Sequence, residues 1–170
     1  MRILSLLSLS AFLLTCCGCG GGGNVPAELR NLVPASVTVM NGTQPMMDVQ
    51  VILLAKAGQG AYACTGITGN DGVATIQSSR GSYTGNGVPE GTYSVVLSKS
   101  IDVPDDLVAQ ESDQNLPPAA QAEKSRKLDE FLNKNRVVPV VLSSAGTSPI
   151  ELVIAKGQDA TVSIDVAKHR

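Results

Sequence analysis

The chain has 170 residues, 15 of them acidic and 13 basic, with one histidine, no tryptophan and 3% aromatic residues. This length favours a single domain, and the net charge of −2 argues against nucleic-acid binding, which needs a basic surface. His169 lies next to the C-terminus and Cys64 is the only cysteine beyond position 19, so the sequence predicts no zinc site and no cofactor site.

The first 16 residues are predicted to be a secretory signal peptide. Arg2 supplies a positive charge, and residues 3–14 form an apolar stretch interrupted only by serines. This stretch is shorter than the ~20 apolar residues that a membrane-spanning helix needs. A charged start, a short apolar core and small residues after it are typical of signal peptides. The sequence therefore predicts an exported protein.

The cysteine cluster that follows, LLTCCGCGGGG, resembles the lipobox of bacterial lipoproteins. In that pattern a leucine at position −3 and small residues at −2 and −1 precede an acylated cysteine. Cys17 fits with Leu14 at −3; Cys16 and Cys19 are the alternatives, because Cys16 has Thr15 at −1 and Cys19 lacks the leucine. The resemblance implies several lipid chains on the cysteine, and several chains anchor a protein stably to a membrane.

Residues 17–34 are predicted to hold the lipidated cysteine and a glycine-rich tether, because glycine-rich chain behaves as a flexible coil. Cys64 is expected to be a free cysteine that packs as a small apolar side chain. A disulfide between Cys19 and Cys64 is the alternative, since an exported protein meets an oxidising compartment.

Residues 35–168 are predicted to form one all-β domain. Asn70-Asp71-Gly72 indicates a tight turn that joins two strands in a hairpin, residues 156–159 are expected to join the last hairpin, and residues 81–87 form a polar loop. Short strands separated by turns predict an antiparallel Greek-key β-sandwich of about seven strands. The predicted strands are residues 35–39, 49–55, 61–68, 73–77, 93–98, 150–155 and 160–166, with a further candidate at 137–142.

Residues 102–136 interrupt the strand pattern and are predicted to be a helical insertion. Leu128, Phe131 and Leu132 recur at helical spacing within residues 119–135. We expect this apolar face to dock on the sandwich; a partner-binding helix is the alternative. Two pairs at the supportive i, i+4 spacing are Glu123 with Lys127 and Glu130 with Lys134.

Several segments resemble carboxypeptidase regulatory-like domains, which share a transthyretin-like (prealbumin-like) sandwich. They are GTQPMMDVQV, TGITGNDGVATI and VPEGTYSVVL, and their order and spacing carry the resemblance. The closing SPIELVIAKGQDATVSIDV and the preceding insertion resemble a version found in lipoproteins of planctomycete-type bacteria. The resemblance covers residues 36–166 and implies a fold and an extracytoplasmic location, but no activity.

No catalytic constellation is predicted. Serine and threonine are abundant, but a nucleophile needs a base, and His169 lies on a tail. A hydrolase based on paired carboxylates is a less favoured alternative, because the acidic residues lie in loop-like sequence without an apolar pocket. These residues are Asp102, Asp105, Asp106, Glu111 and Asp113.

Carbohydrate binding is the alternative to a purely structural role. Starch-binding-like sandwiches stack sugars on exposed aromatic rings, for which Tyr62 and Tyr83 are the candidates, whereas Tyr93 is expected to anchor a loop. The sequence predicts a non-catalytic lipoprotein, periplasmic or at the cell surface. Its expected partners are the membrane, through the lipid anchor, and an envelope protein or glycan.

Overall fold

Alternating apolar and polar residues place one face of most strands in a common core. In the first strand Ala35, Val37 and Val39 are buried, while the residues between them are half-exposed. The computed structural model describes residues 25–56, 62–108, 110 and 115–170. The predicted signal peptide, Cys16, Cys17, Cys19 and the glycine run lie outside these residues. The ten described strands are β1 (Ala35–Asn41), β2 (Gln44–Pro45), β3 (Gln50–Ala55), β4 (Ala63–Ile67), β5 (Val73–Thr75), β6 (Gln77–Arg80), β7 (Tyr83–Asn86), β8 (Gly91–Ser98), β9 (Glu151–Ile154) and β10 (Ala160–Asp165).

The strands form two sheets around one apolar core, so the chain is mostly β, with one helix, as predicted. In the smaller sheet β1 lies between β10 on one side and β2 and β5 on the other. The larger sheet has the order β7-β6-β4-β3-β8-β9. Leu53, Tyr93 and Leu97 of the larger sheet share the core with Val37 and Ile164 of the smaller one.

The predicted hairpin of residues 61–68 and 73–77 is wrong, although its turn is present. Asp71 Oδ1 accepts a hydrogen bond from the Val73 amide at 3.0 Å, which closes the turn. β5 then pairs with β1 of the smaller sheet, and β6 pairs with β4 of the larger one. The chain crosses between the sheets at Ile76, which is fully buried. Burial of this side chain between the layers explains why one apolar run serves two sheets.

The last predicted hairpin is also wrong. β9 pairs with β8 in the larger sheet, whereas β10 pairs with β1 in the smaller one. Residues 155–159 therefore cross from layer to layer, as a strand end with buried residues on the core side requires. The β1–β10 pair is parallel, which corrects the expectation of a purely antiparallel fold.

Two shorter segments differ from the prediction. Within the predicted loop 81–87, β7 pairs with β6, so this polar stretch is an edge hairpin that contributes little to the core. Residues 137–142 contain a 3₁₀ helix at Val140–Leu142 in place of a strand. Pro139 precedes this helix; it fixes a backbone φ and lacks the amide that a strand ladder needs.

The insertion contains α1 (Pro118–Asn135), close to the predicted bounds. Leu128, Phe131 and Leu132 are half-buried, and no residue of the helix is fully buried. Leu132 shares a groove with Leu97 and Ile101. The apolar face therefore turns toward the sandwich, in keeping with the expected docking.

Candidate functional site

The strand registers define two ends of the sandwich. β1 and β10 start beside Gly91 of β8 and Ile154 of β9, and we call this the entry end. The far end holds the Asn41–Gly42 turn, the end of β8 at Ser98 and the end of β10 at Asp165. Residues 1–24 join the domain at Val25, so the position of the segment after Val25 decides which end faces the predicted anchor.

The segment 25–34, assigned above to the tether, packs on the entry end. Leu29 is buried, and Val33 pairs with Val88 through two backbone hydrogen bonds of 2.9 and 2.8 Å. Tyr83 donates a long hydrogen bond of 3.5 Å to the Leu29 carbonyl. These contacts fix the start of the domain against β7 and the loops of the entry end.

An ion pair reinforces this attachment. Arg80 Nη1 lies 2.8 Å from Glu28 Oε1. A backbone hydrogen bond at Glu28 and the Arg80 guanidinium hold the pKa of this carboxyl below its ordinary value. Both side chains are exposed, and exposed pairs contribute little free energy. Buried Leu29 and Val33 therefore carry most of the attachment.

The two tyrosines proposed to stack on sugars are both half-buried. Tyr93 donates to the Pro89 carbonyl at 2.9 Å, so Tyr62 is the donor in its 2.8 Å hydrogen bond to the Tyr93 hydroxyl. Tyr62 also packs against the core. Tyr93 is fully buried, and burial raises its pKa. It anchors a loop as expected, and Tyr62 supports it from the next strand.

Cys64 is a free, fully buried cysteine, so the alternative disulfide with Cys19 is absent. Its Sγ lies 3.0 Å from Ser78 Oγ, which donates to the Gly87 carbonyl at 2.7 Å. Burial raises the pKa of the Cys64 thiol. Since the thiolate is the reactive form, this cysteine is suited to packing and not to nucleophilic chemistry.

The acidic residues of the insertion are exposed where the structure describes them. Asp102, Asp105 and Asp106 lie on the surface, while Glu111 and Asp113 lie outside the described residues. Asp102 and Asp48 line one open groove with Lys99. Both carboxyl groups are exposed, so no apolar surroundings remove water from them. Within residues 25–56, 62–108 and 115–170, no group of three potential ligands could hold a metal ion.

The helix α1 carries its own charge network on the solvent side. Arg126 Nη2 lies 2.8 Å from Glu123 Oε1, and Arg126 also pairs with Glu130. The Arg126 guanidinium holds the pKa of Glu123 below its ordinary value. The predicted Glu123–Lys127 pair is present at 3.6 Å. Arg126, which the i, i+4 pattern did not single out, is the centre of the network because it reaches one turn in each direction.

Two apolar side chains on the outer face of the larger sheet are strongly exposed. Ile67 is 67% exposed and Val153 is 66% exposed, and Leu54 adds a third apolar surface residue. The alternation in these strands places them on the face opposite the core. The sequence signal was present in the VQVILLA run, which is apolar on both faces.

Asp165 ties the far end together, and sequence reasoning did not identify it. Its Oδ1 accepts from the Gly42 amide at 2.8 Å and from the Ala167 amide at 3.1 Å. The hydrogen bond from Gly42, helped by that from Ala167, lowers the pKa of this carboxyl from the ordinary 3.8. One carboxylate thus joins the β1–β2 turn to the C-terminal 3₁₀ helix.

We expect Asp165→Asn to lower thermal stability at neutral pH and to have a smaller effect in acid. The folded-state pKa is lowered, so the contribution of the carboxylate is present above the unfolded-state value near 3.8 and is lost as the pH falls through the folded-state value. Melting temperatures of both proteins from pH 7 to pH 2 test this. A difference that stays constant over that range would contradict it.

None of the described helices is long and apolar enough to cross a bilayer. No family model, no curated protein and no solved structure matches the chain.

Proposed function

We propose that this chain is an exported lipoprotein, anchored to a membrane through Cys17, whose β-sandwich has a structural or protein-interaction role in the cell envelope. The observation that carries the proposal is the sequence LLTCCGCGGGG, directly after a predicted signal peptide. A short apolar stretch before a cysteine with leucine at −3 fits lipid attachment better than a membrane-spanning helix.

We further propose that the two-layer fold is a transthyretin-like Greek-key sandwich of the carboxypeptidase regulatory-like type. The crossing of the chain between the sheets at Ile76 and the parallel pairing of β1 with β10 support this assignment, as do the turn and strand motifs. Such a domain serves as a rigid unit, and nine buried side chains of the core are branched aliphatics without any exposed surface or nearly so.

The proposal assigns a direction to the anchored domain. Residues 25–34 pack at the entry end, so a tether from Cys17 would attach the domain by that end. The far end, with α1 and the C-terminal 3₁₀ helix (Val166–His169), would then face away from the bilayer. A glycine-rich linker between the lipid and Val25 leaves the sandwich free to stand off the membrane.

The proposed role is non-catalytic because each candidate group has a structural explanation. Cys64 is buried with a raised thiol pKa, and the described acidic residues of the insertion are exposed to solvent. Tyr62 and Tyr93 use their hydroxyls to hold the Pro89 loop. Protein interaction is therefore the more economical use of the surface than acid–base or nucleophilic chemistry.

Metabolic labelling with radioactive palmitate tests the anchor. We expect the full chain to incorporate label in a bacterial host, and Cys17→Ala to abolish it completely, because acylation needs the thiol of that residue. Cys64→Ala is the matched control, since it removes a cysteine from the folded core and leaves the lipobox intact; it should keep the label.

Cys16→Ala and Cys19→Ala complete the series. Retention of label in Cys17→Ala with loss in one of these variants would move the anchor to that cysteine. Absence of label in the unmodified chain, or retention in all three variants, would overturn the lipoprotein assignment.

A further inference from the structure

β10 is the longest strand with a free edge in the described structure. It pairs only with β1, and Ala160 donates its amide to the Pro34 carbonyl. In a parallel pair, residues that point their backbone groups toward the neighbour alternate with residues that point them away. Ala160 and every second residue after it therefore face β1. Thr161, Ser163 and Asp165 present their amides and carbonyls at the free edge.

The other sheet edges are shorter or covered. β2 has two residues, while β7 and β9 have four each. Along β7, Leu32 lies close enough to Gly85 that an added Cβ there would be 2.6 Å from its Cδ1. Proteins commonly protect an edge strand with lysine, proline or a covering segment. β10 contains neither lysine nor proline, so its edge is open to another strand.

We infer that β10 pairs antiparallel with β10 of a second copy of this chain, about a two-fold axis at Ser163. Residues that face each other must both point their backbone groups across the new pair. With Ser163 opposite itself, Thr161 lies opposite Asp165 of the second copy and Asp165 opposite Thr161. All three outward-pointing residues of β10 then form hydrogen-bonded pairs.

Charge selects this register over the nearest alternative. An axis at Val162 would place Asp159 opposite Asp165 of the second copy, so that two carboxylates met at each end of the pair. The axis at Ser163 instead pairs Asp165 with a neutral threonine. It also brings Lys168 of one copy next to Asp159 of the other, since Lys168 then lies opposite Gln158. Opposite charges across a strand pair are favourable, and like charges are not.

The same register matches the core side of the strand. Val162 is half-buried at the margin of the core, whereas Ile164 is 1% exposed. In the paired arrangement Val162 lies opposite Ile164 of the second copy as a close, non-hydrogen-bonded pair. The smaller sheets of two copies would thus continue into each other. This inference goes beyond the proposed function and does not depend on lipid attachment.

Disulfide trapping tests the register on the full chain in detergent solution. In Ser163→Cys the two introduced thiols meet at the axis, where directly opposed residues lie about 5.5 Å apart between Cα atoms, within the range of a disulfide. We expect mild oxidation to give a dimer with a 163–163 cross-link, identified by mass spectrometry. Thr38→Cys is the matched control, because Thr38 lies on the outer side of the interior strand β1; it should give at least tenfold less cross-link.

Sedimentation measures the pairing without cross-linking. The unmodified chain should be dimeric, and Ser163→Lys should raise the dimer dissociation constant at least tenfold by placing two ammonium groups at the axis. Thr38→Lys should leave it within about twofold, and the melting curves of both variants would show that the domain is folded. A monomeric unmodified chain, or equal cross-linking at positions 163 and 38, would overturn the inference.

Discussion

Replacing Tyr93 by alanine is expected to lower the free energy of unfolding by about 3–5 kcal/mol, the range for deleting a buried aromatic ring. Tyr93 is fully buried in the core, between β3 and β9 in the larger sheet. Its hydroxyl also donates to the Pro89 carbonyl and accepts from Tyr62. The substitution therefore leaves a cavity and frees two polar groups, and chemical denaturation measures the loss.

Two conservative variants separate the ring from its hydroxyl. Tyr93→Phe keeps the packing but leaves the buried Pro89 carbonyl unpaired, and we expect it to cost about 1–3 kcal/mol. Tyr62→Phe removes only a half-buried donor and should cost about 0.5–1.5 kcal/mol. In the double variant the two costs should add to less than their sum, because the lost hydrogen bond is shared. Additive costs would show that the Tyr62–Tyr93 bond does not stabilise the fold.

Gly72→Ala is the second large expected effect, a loss of about 2–5 kcal/mol from two sources. Gly72 has φ +75°, a conformation that costs a non-glycine residue about 1–2 kcal/mol. An added Cβ would also lie 2.7 Å from the Val39 carbonyl oxygen and 3.0 Å from Pro45 Cβ, and such overpacking typically costs about 1–3 kcal/mol. Urea denaturation at neutral pH measures the sum.

Gly81→Ala is the control that isolates the close approach. Gly81 has a similar φ of +61°, but no atom lies within 4 Å of the Cβ it would gain. We expect it to cost only the conformational term of about 1–2 kcal/mol. If the two variants were equally stable, the contact between the turn at Gly72 and β1 would not contribute to the fold.

The strand content was predictable, but the way the strands divide between two sheets was not. Val73 and Thr75 alternate as a hairpin partner of β4 would, and nothing local indicates that they pair with β1. Periodicity reports which side of a strand is buried and not which neighbour it meets. For the same reason β9 and β10 read as a hairpin, although their apolar faces cover the core from opposite layers.

For the functional features, sequence reasoning identified side chains better than their partners. The role of Tyr93 followed from its place after a Pro-Glu-Gly turn, but Tyr62 as its hydrogen-bond donor did not, since the pair joins positions 31 apart. Asp165 was one residue of an alternating strand until the fold brought the Gly42 amide to it. Such contacts depend on tertiary placement, which a local pattern does not carry.

The parallel pairing of the first strand with the last has a consequence for when this domain can fold. β1 lies between β10 and β5, so the smaller sheet lacks its edge strand until nearly the whole domain is present. Contacts between such distant segments close late, because the loop entropy is lost before they form. A chain built this way stays incomplete during its synthesis, which suits a polypeptide that must be threaded through a translocation channel before it folds.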